Sequence, residues 1–372
     1  MYNILTLNKI SKYGLEKLDA AKYTYGDAVT APDAVLVRSA AMHDMTLDKN
    51  TVAIARCGAG TNNIPVDRCA ADGVVVFNTP GANANGVKEL VICALLLASR
   101  KIVNGIEWCK TLKGNCEDVG KAVEKGKSAF VGPEIKGKTL GIIGLGAIGR
   151  LVADAAISLG MTVIGYDPFP VKGLNENVNV VTDTDSIFAA SDYITLHAPS
   201  TPDTKGIINA ANIKKMKDGA RILNFARGDL VVSADLLAAL ESGKIAAYAT
   251  DFPSEDMLGL DGIIAIPHLG ASTPESEDNC AVMAAEEVTA YIETGAIKNS
   301  VNFPNAALTD DFTTRVCVLS TEAAAPAVQA ALGDVIFSGA KKGFAYTVAD
   351  KDADVAAIEK IDGVSRVRVI KK

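Results

Sequence analysis

The sequence predicts an α/β protein with two parallel sheets and a smaller C-terminal module. Short apolar runs alternate with helical patterns along most of the chain, one of them followed by a glycine-rich turn, and the tail beyond residue 313 has a different order of elements. A chain of 372 residues exceeds what one hydrophobic core usually organises, so we expect more than one domain.

The first part of the chain alternates strands with turns. The N-terminal run MYNIL and residues 34–37, 52–55 and 74–78 are predicted strands, each closed by a turn or polar loop. This alternation is typical of βαβ units and hence of a parallel sheet. A helical period follows over 86–98, and the lysine-rich residues 108–127 are predicted to form a solvated connecting arm.

A second α/β series begins at Gly137. Strands are predicted at 139–143, 162–166, 178–181, 193–196, 221–224, 248–250 and 263–266, with helices at 149–159 and 234–241. A long helix is predicted over 277–294 and a linker over 299–304. The tail then shows strand, helix, two strands, helix and strand (315–319, 323–332, 335–338, 344–348, 353–361 and 366–370), the order of ferredoxin-like modules.

Composition narrows the class of protein. Hydrophobic residues make up 49% and charged residues 22%, as in ordinary globular proteins. A net charge of −7 without a Lys/Arg run argues against a nucleic-acid partner. Seven scattered cysteines without a CxxC pair indicate reduced thiols and no metal site. With no signal-peptide pattern or bilayer-length apolar segment, we expect a cytoplasmic protein without a membrane partner.

The turn GLGAIG at residues 144–149 follows a predicted strand and opens a helix. In this context a GxGxxG turn indicates dinucleotide binding in a Rossmann domain, although the glycines alone would also suit a plain tight turn. Gly144 permits the turn, Gly146 lets the backbone approach a pyrophosphate, and Gly149 allows close helix–strand packing. The free amides at the helix N-terminus would face the phosphates.

Asp167 ends the next predicted strand, where a carboxylate accepts a hydrogen bond from a ribose 2′-hydroxyl. It would repel a 2′-phosphate, and the following PFP segment supplies no arginine to bind one. The expected cofactor is therefore NAD, while Lys172 leaves a relaxed selectivity open.

Hydride transfer from an alcohol carbon needs a base for the hydroxyl proton and a cation for a neighbouring carboxylate. Among the three histidines, His268 follows the carboxyl end of a strand, where ligands bind in doubly wound sheets. His197 also follows a strand and is the alternative base, whereas His43 is expected to be an exposed bystander.

Arg227 closes another predicted strand and would bind a carboxylate through two parallel hydrogen bonds. The alternative is an ordinary surface arginine. Asp251, Glu255 and Asp256 follow the strand at 248–250, and any one of them is a candidate hydrogen-bond partner for His268.

These residues belong to a series of motifs that resembles the D-isomer-specific 2-hydroxyacid dehydrogenases. In chain order the motifs are VRS (37–39), RCGAG (56–60), NTPG (78–81), GKTLG (137–141), GLGAIG (144–149), ARG (226–228) and PHLGAST (267–273). The resemblance is strongest to members that oxidise 3-phosphoglycerate and implies that small-molecule substrate. Glycerate and lactate remain alternative substrates, and a non-catalytic NAD sensor remains an alternative function.

The resemblance also implies residue roles. Arg227 would orient the acid, His268 would exchange the hydroxyl proton, and Glu255 would orient His268. The segment at 251–256 is one residue shorter than the common form, so Asp256 competes with Glu255. Asp251 matches the aspartate near the nicotinamide carboxamide. The predicted cofactor contacts are Gly144, Gly146, Ala147, Ile148, Gly149, Asp167, Ala198, Phe225, Ala226, Arg227, Asp251, His268, Gly270 and Ala271.

The substrate phosphate is assigned to Arg38 and Arg56, which end two predicted strands beside small or glycine-rich turns. Further donors would come from Ser39, Gly58 and Ala59, while Arg227 and His268 would contact the acid itself. The alternative is that both arginines are paired with surface acids.

The family fold implies a cleft between two α/β domains. These are a discontinuous flavodoxin-like substrate domain (1–98 and 287–305) and an NAD domain (99–286), followed by an ACT-like tail (311–372). Related enzymes dimerise through the cofactor domain, which implies a homodimer or homotetramer. The first loop of the tail lacks the Asn-x-Pro-Gly type of turn and carries Glu322, so we expect weak or no serine binding.

Overall fold

A computed structural model describes residues 1–372. The chain divides into two compact units, Met1–Asn83 with Pro274–Lys372 and Ala84–Thr273. The first unit is therefore discontinuous in sequence. The predicted boundaries at 98/99 and 286/287 lie within the helices Ala84–Ser99 and Pro274–Thr294. The division into substrate, cofactor and tail domains stays a prediction.

The first unit contains a five-stranded parallel sheet of order β2-β1-β3-β4-β5. Both of its faces are buried, which explains the continuous apolar runs from which three of its strands were predicted to within one residue. The edge strand β2 was not predicted because its YTYG sequence is mostly exposed. The elements are β1 (Tyr2–Leu7), α1 (Lys12–Leu15), β2 (Tyr23–Gly26), β3 (Ala34–Val37), β4 (Ala53–Arg56), α2 (Val66–Ala71) and β5 (Val75–Asn78).

The second unit is built on a seven-stranded parallel sheet flanked by helices. Its helices are α3 (Ala84–Ser99), α4 (Ile102–Thr111), α5 (Val119–Gly126), α6 (Ala147–Ser158), α7 (Thr184–Ala190), α8 (Ala210–Lys215) and α9 (Ser233–Glu241). Its strands are β6 (Thr139–Ile143), β7 (Thr162–Tyr166), β8 (Val178–Val180), β9 (Tyr193–Leu196), β10 (Ala220–Asn224), β11 (Ile245–Thr250) and β12 (Ile263–Ala265).

The strand order of this sheet is β12-β11-β10-β9-β6-β7-β8. The chain therefore changes direction across the sheet between β6 and β9, and the carboxyl ends of these strands are where doubly wound proteins bind ligands. Buried apolar residues cover both faces of the sheet. The predicted α/β architecture with two parallel sheets is confirmed.

Residues 108–127, predicted to form a solvated connecting arm, include the end of helix α4 and all of helix α5. Helices α4 and α5 bury none of their residues, yet both form. Local interactions explain them: the Asp118 side chain accepts a hydrogen bond from the Lys121 amide at 3.0 Å, and Lys110 pairs with Glu107 at 2.6 Å. Helices α4 and α5 also expose apolar residues, including Ile106 in α4, which is 51% exposed.

The chain returns to the first unit through α10 (Pro274–Thr294), which packs on the parallel sheet. The tail has the predicted order of elements: β13 (Thr314–Thr321), α11 (Ala325–Leu332), β14 (Phe337–Lys341), β15 (Phe344–Ala349), α12 (Val355–Ile358) and β16 (Val364–Lys371). Its antiparallel sheet has the order β14-β15-β13-β16. One face packs on α11 and α12, and the other joins the core that contains α10.

The segment 299–304, predicted to be a linker, is bonded along β5. The Val301 amide donates to the Val76 carbonyl at 2.8 Å, and the Asn302 side chain exchanges two hydrogen bonds of 2.9 Å with the backbone of Val74 and Val76. These bonds complete the open edge of the sheet. None of the helices combines the length and the apolarity that a bilayer crossing requires.

Candidate active site

The glycine-rich turn joins β6 to α6, and each glycine has its own steric reason. Gly144 has a φ of 96°, and a Cβ there would lie 2.7 Å from the His197 carbonyl. A Cβ on Gly149 would lie 2.0 Å from the Gly144 carbonyl oxygen, whereas one on Gly146 would meet open space. Gly146 and Ala147 are exposed at the start of α6. The turn therefore leaves its outer side open to a ligand, as a pyrophosphate requires.

Asp167 lies beside this turn at the end of β7. Its carboxylate accepts hydrogen bonds from the backbone amides of Leu145 at 2.8 Å and Phe169 at 3.0 Å. Each carboxylate oxygen has a second lone pair, so both can still accept a hydroxyl proton. The residues present fit the ribose of a dinucleotide.

His197 follows β9 and is half-buried. Its Nε2 lies 3.0 Å from the Thr195 hydroxyl, and its Nδ1 is buried without a hydrogen-bond partner. Burial lowers the pKa of this imidazole to about 4, so the ring is neutral at neutral pH. Ala198, the next residue, is half-buried, and His43 is exposed with Nε2 2.9 Å from the Asn62 carbonyl.

Arg227 is exposed just beyond β10, and a buried asparagine shapes its loop. The Asn224 side chain donates to the Arg227 carbonyl at 2.8 Å and accepts from the Ala226 amide at 3.2 Å. It also donates to the Tyr248 hydroxyl at 3.2 Å. Phe225 is buried beneath the loop. We had not predicted this role for Asn224, although a polar residue that ends an apolar strand signals it.

Asp251, at the end of β11, is 2% exposed. Its Oδ2 accepts from the Gly270 amide at 3.3 Å, and its Oδ1 is buried without a partner. Burial raises the pKa of this carboxyl, and the positive charges of His268 and Arg227 oppose the rise. Arg227, Asp251 and His268 thus follow three neighbouring strands, β10, β11 and β12, at the carboxyl edge of the sheet.

His268 is exposed and packs against Phe252, with ring centroids 4.5 Å apart. Neither Glu255 nor Asp256 is hydrogen-bonded to it. The Asp256 carboxylate is bonded by the hydroxyls of Ser233 and Ser254, which hold the pKa of that carboxyl below its usual range. Glu255 begins a short 3-10 helix and is exposed. Ala271, beyond Gly270, is half-buried.

The two predicted phosphate ligands lie in the first unit, at the ends of β3 and β4. The Arg56 Nε donates to the Arg38 carbonyl at 3.1 Å, and Arg38 Nη2 pairs with Glu277 Oε1 at 2.5 Å. The alternative of an arginine paired with a surface acid thus describes Arg38. A Cβ on Gly58 would lie 1.5 Å from Arg56 Nη1, so the guanidinium rests on this glycine.

Backbone bonds also fix the neighbouring loop. The Gly58 amide donates to the Arg56 carbonyl at 2.8 Å, and the Ala59 carbonyl accepts from the Asn78 side chain at 2.5 Å. The Ser39 amide donates to the Asn8 side chain at 2.9 Å, while the residue itself is exposed. The amides of Gly58 and Ser39 are therefore already engaged.

Comparison with known proteins adds independent findings. Residues 92–270 match the family model of the D-isomer specific 2-hydroxyacid dehydrogenase NAD binding domain. The chain is 38% identical over 270 residues to a hydroxypyruvate reductase of Thermotoga maritima, covering 69% of this chain and 83% of that protein. It is 36% identical over 287 residues to a D-3-phosphoglycerate dehydrogenase of Archaeoglobus fulgidus, covering 73% of this chain and 52% of that relative.

A solved structure agrees. The NAD⁺-bound 3-phosphoglycerate dehydrogenase of Entamoeba histolytica superposes with a TM-score of 0.64 at 28% identity, covering 81% of this chain and 98% of that one. The chain spans about half the length of several curated relatives, 52% for the Archaeoglobus protein and 48% for that of Methanocaldococcus jannaschii. The expected resemblance and the expected NAD-binding domain are confirmed. The chain belongs to the D-isomer specific 2-hydroxyacid dehydrogenase family.

Proposed function

We propose that the protein oxidises D-3-phosphoglycerate to 3-phosphohydroxypyruvate with NAD, the reaction that opens serine biosynthesis. The observation that carries this proposal is that Arg227, Asp251 and His268 follow three neighbouring strands, at the carboxyl edge of a sheet that also carries the glycine-rich turn. Relatives named D-3-phosphoglycerate dehydrogenase, 34–38% identical to this chain, support the substrate.

In this proposal His268 takes the proton of the substrate hydroxyl as the C2 carbon is oxidised, and returns it in the reverse direction. Its exposed ring can reach a bound acid, whereas His197 is half-buried and its Nδ1 is inaccessible to solvent. Arg227 binds the substrate carboxylate and aligns C2. Glu255 is the preferred partner of His268, because serine hydroxyls already bind Asp256.

Bound NAD would supply the hydride acceptor. The amides at the start of α6 and the open side of Gly146 would bind its pyrophosphate, with Ala147, Ile148 and Gly149 completing the turn. Asp167 would accept from the ribose, and the unpaired Oδ1 of Asp251 is an acceptor for the carboxamide. The remaining contacts would come from Ala198, Phe225, Ala226, Gly270 and Ala271.

Arg38 and Arg56 would bind the substrate phosphate, with the Ser39 hydroxyl and the Ala59 amide as additional donors. Two guanidinium groups on adjacent strands suit a dianion better than a single positive charge does. Gly58 contributes by its lack of a side chain, because the Arg56 guanidinium rests there.

A second candidate is the interconversion of an unphosphorylated acid such as glycerate. The Glu277 carboxylate beside Arg38 and the hydroxypyruvate reductase relative both favour it. Rates of NAD reduction with 3-phosphoglycerate, glycerate and lactate, measured side by side, test both. Higher kcat/KM for glycerate than for 3-phosphoglycerate would favour the second candidate.

We further propose that the tail is ACT-like but serves mainly in assembly. One face of its sheet is already covered within the first unit, and Arg368 donates to the carbonyls of Tyr291 and Ile292 at 3.3 and 3.1 Å. Serine should then inhibit weakly or not at all, and strong inhibition of NAD reduction by L-serine would contradict this role.

The exposed apolar residues of helices α4 and α5 suit a homodimer or larger homo-oligomer formed through the second unit. The Ile106→Glu variant should lower the mass measured by light scattering. The Val180→Glu control, at an equally exposed position of the same unit, should not.

A further inference from the structure

The ion pair between Arg38 and Glu277 joins two different parts of the first unit. Arg38 immediately follows β3 in the N-terminal segment. Glu277 lies in the first turn of α10, after the chain has returned from the second unit. The distance from Nη2 to Oε1 is 2.5 Å, and the two side chains are 41% and 40% exposed. The pair is therefore close but open to water.

Glu277 brings a negative charge next to Arg38, one of the two arginines assigned to the substrate phosphate. Arg56, the last residue of β4, lies opposite Val37, the residue before Arg38, and its Nε donates to the Arg38 carbonyl. The positive charges of both arginines also reach the Cys280 thiol on α10, where they oppose the rise in its pKa caused by burial. The start of α10 thus lies near both arginines, and Glu277 pairs with Arg38.

We propose that Glu277 determines the charge selectivity of this anion site by competing with a phosphate group for Arg38. This inference rests on the proposed function, because it assigns the arginine pair to the substrate phosphate. A dianionic phosphate that approaches Arg38 must replace the carboxylate at Nη2 or bind beside it against repulsion. A substrate without a phosphate group does not meet this competition.

The ion pair between Arg38 and Glu277 is weak enough for a phosphate group to displace it. An ion pair that is two-fifths exposed is weak and screened by salt, so a phosphate can displace it. Glu277 therefore lowers the affinity for phosphorylated acids without blocking the site.

The test compares Glu277→Gln with Glu275→Gln, an exposed glutamate two residues earlier in the same helical turn. Calorimetric titration of the full chain with inorganic phosphate and with 3-phosphoglycerate gives the affinities directly. We expect Glu277→Gln to tighten both by roughly three- to tenfold, with Glu275→Gln within about twofold of wild type. The KM for 3-phosphoglycerate should fall in parallel, while that for glycerate stays unchanged.

Weaker or unchanged phosphate binding in Glu277→Gln would overturn the inference, as would equal changes in the KM of glycerate and 3-phosphoglycerate. Glu277→Ala is the second variant if the first unfolds, and the same tightening is expected there. Because calorimetry needs no turnover, the two proposals fail separately. Tightened phosphate binding without 3-phosphoglycerate oxidation would overturn only the proposed reaction.

Discussion

The two parallel sheets both carry polar side chains beyond their carboxyl ends, but they hold them in different ways. In the second unit, backbone groups bond Asp167, Asn224 and Asp251. In the first unit, Arg38 is held by a half-exposed carboxylate. Bonds to the backbone of a rigid sheet edge leave little freedom, whereas an exposed ion pair contributes about 1 kcal/mol or less and exchanges readily. We infer that the carboxyl edge of the second unit's sheet, where the dinucleotide would bind, is rigid. We also infer that single substitutions can readily change the anion affinity of the first unit's arginines.

The largest effect is expected at the rigid edge. His268→Ala should lower kcat by roughly 10²–10⁴, the usual result of losing a positioned acid–base group. Dinucleotide binding, measured by fluorescence titration, should persist because the glycine-rich turn is untouched. His43→Ala is the matched control with unchanged turnover. Near-normal turnover in His268→Ala would transfer the role to His197.

A buried acid of the first unit should produce a pH-dependent stability. Glu287 on α10 is 5% exposed, accepts from the Asn299 side chain at 2.7 Å, and leaves Oε2 unpaired. Burial raises the pKa of this carboxyl from 4.5 to about 8. The folded state therefore binds a proton that the unfolded state releases. This contribution to the free energy of unfolding is complete below pH 4.5 and is lost as the pH rises through 8.

The Glu287→Gln variant should remove this dependence and be more stable than wild type above pH 8, by on the order of 3 kcal/mol. Urea unfolding between pH 5 and 9 measures the effect. The neighbouring Glu286→Gln, which loses only an exposed pair with Lys17, should follow the wild-type pH profile. Parallel profiles for wild type and Glu287→Gln would show that Glu287 is not protonated in the fold.

The two arginines of the first unit should affect phosphorylated and unphosphorylated substrates differently. Neutralising Arg38 or Arg56 with alanine should raise the KM for 3-phosphoglycerate by roughly 10- to 100-fold, the cost of a charge-assisted hydrogen bond to phosphate. The KM for glycerate should change by less than about threefold, because its carboxylate is assigned to Arg227. Lys9→Ala, an exposed cation of the same unit, is the control. Equal effects on both substrates would remove the phosphate assignment.

The smallest effect concerns cofactor choice. Wild type should prefer NAD, and Asp167→Asn should narrow the preference over NADP by roughly tenfold, because it removes the negative charge while retaining an acceptor for Leu145 or Phe169. The kcat/KM for the two cofactors is compared in wild type, Asp167→Asn and Asp167→Ala. The comparison distinguishes the effect of removing the carboxylate's charge from the effect of removing the whole side chain. Equal use of NADP by the wild type would contradict the role of Asp167.

Much of the fold was predictable because its signals are local. Buried parallel strands require continuous apolar runs, so β3, β6, β7 and β9 were predicted with the bounds they have. The edge strand β2 and the exposed helices α4 and α5 were not predicted, because none of the three buries enough apolar surface to produce a hydrophobic periodicity.

The amino-acid sequence alone was enough to predict the family, the glycine-rich turn and the set of residues with the right chemistry, since a tight turn and a strand end impose those residue types locally. Which charged side chains contact one another depends on how the whole chain packs. The packing brought Glu277 to Arg38 across more than two hundred residues and bonded Asp256 to two serines. It also buried the Nδ1 of His197 and left His268 exposed. Contacts and burial of this kind depend on how distant segments pack, and hydrophobic periodicity carries no information about which polar side chains that packing brings together.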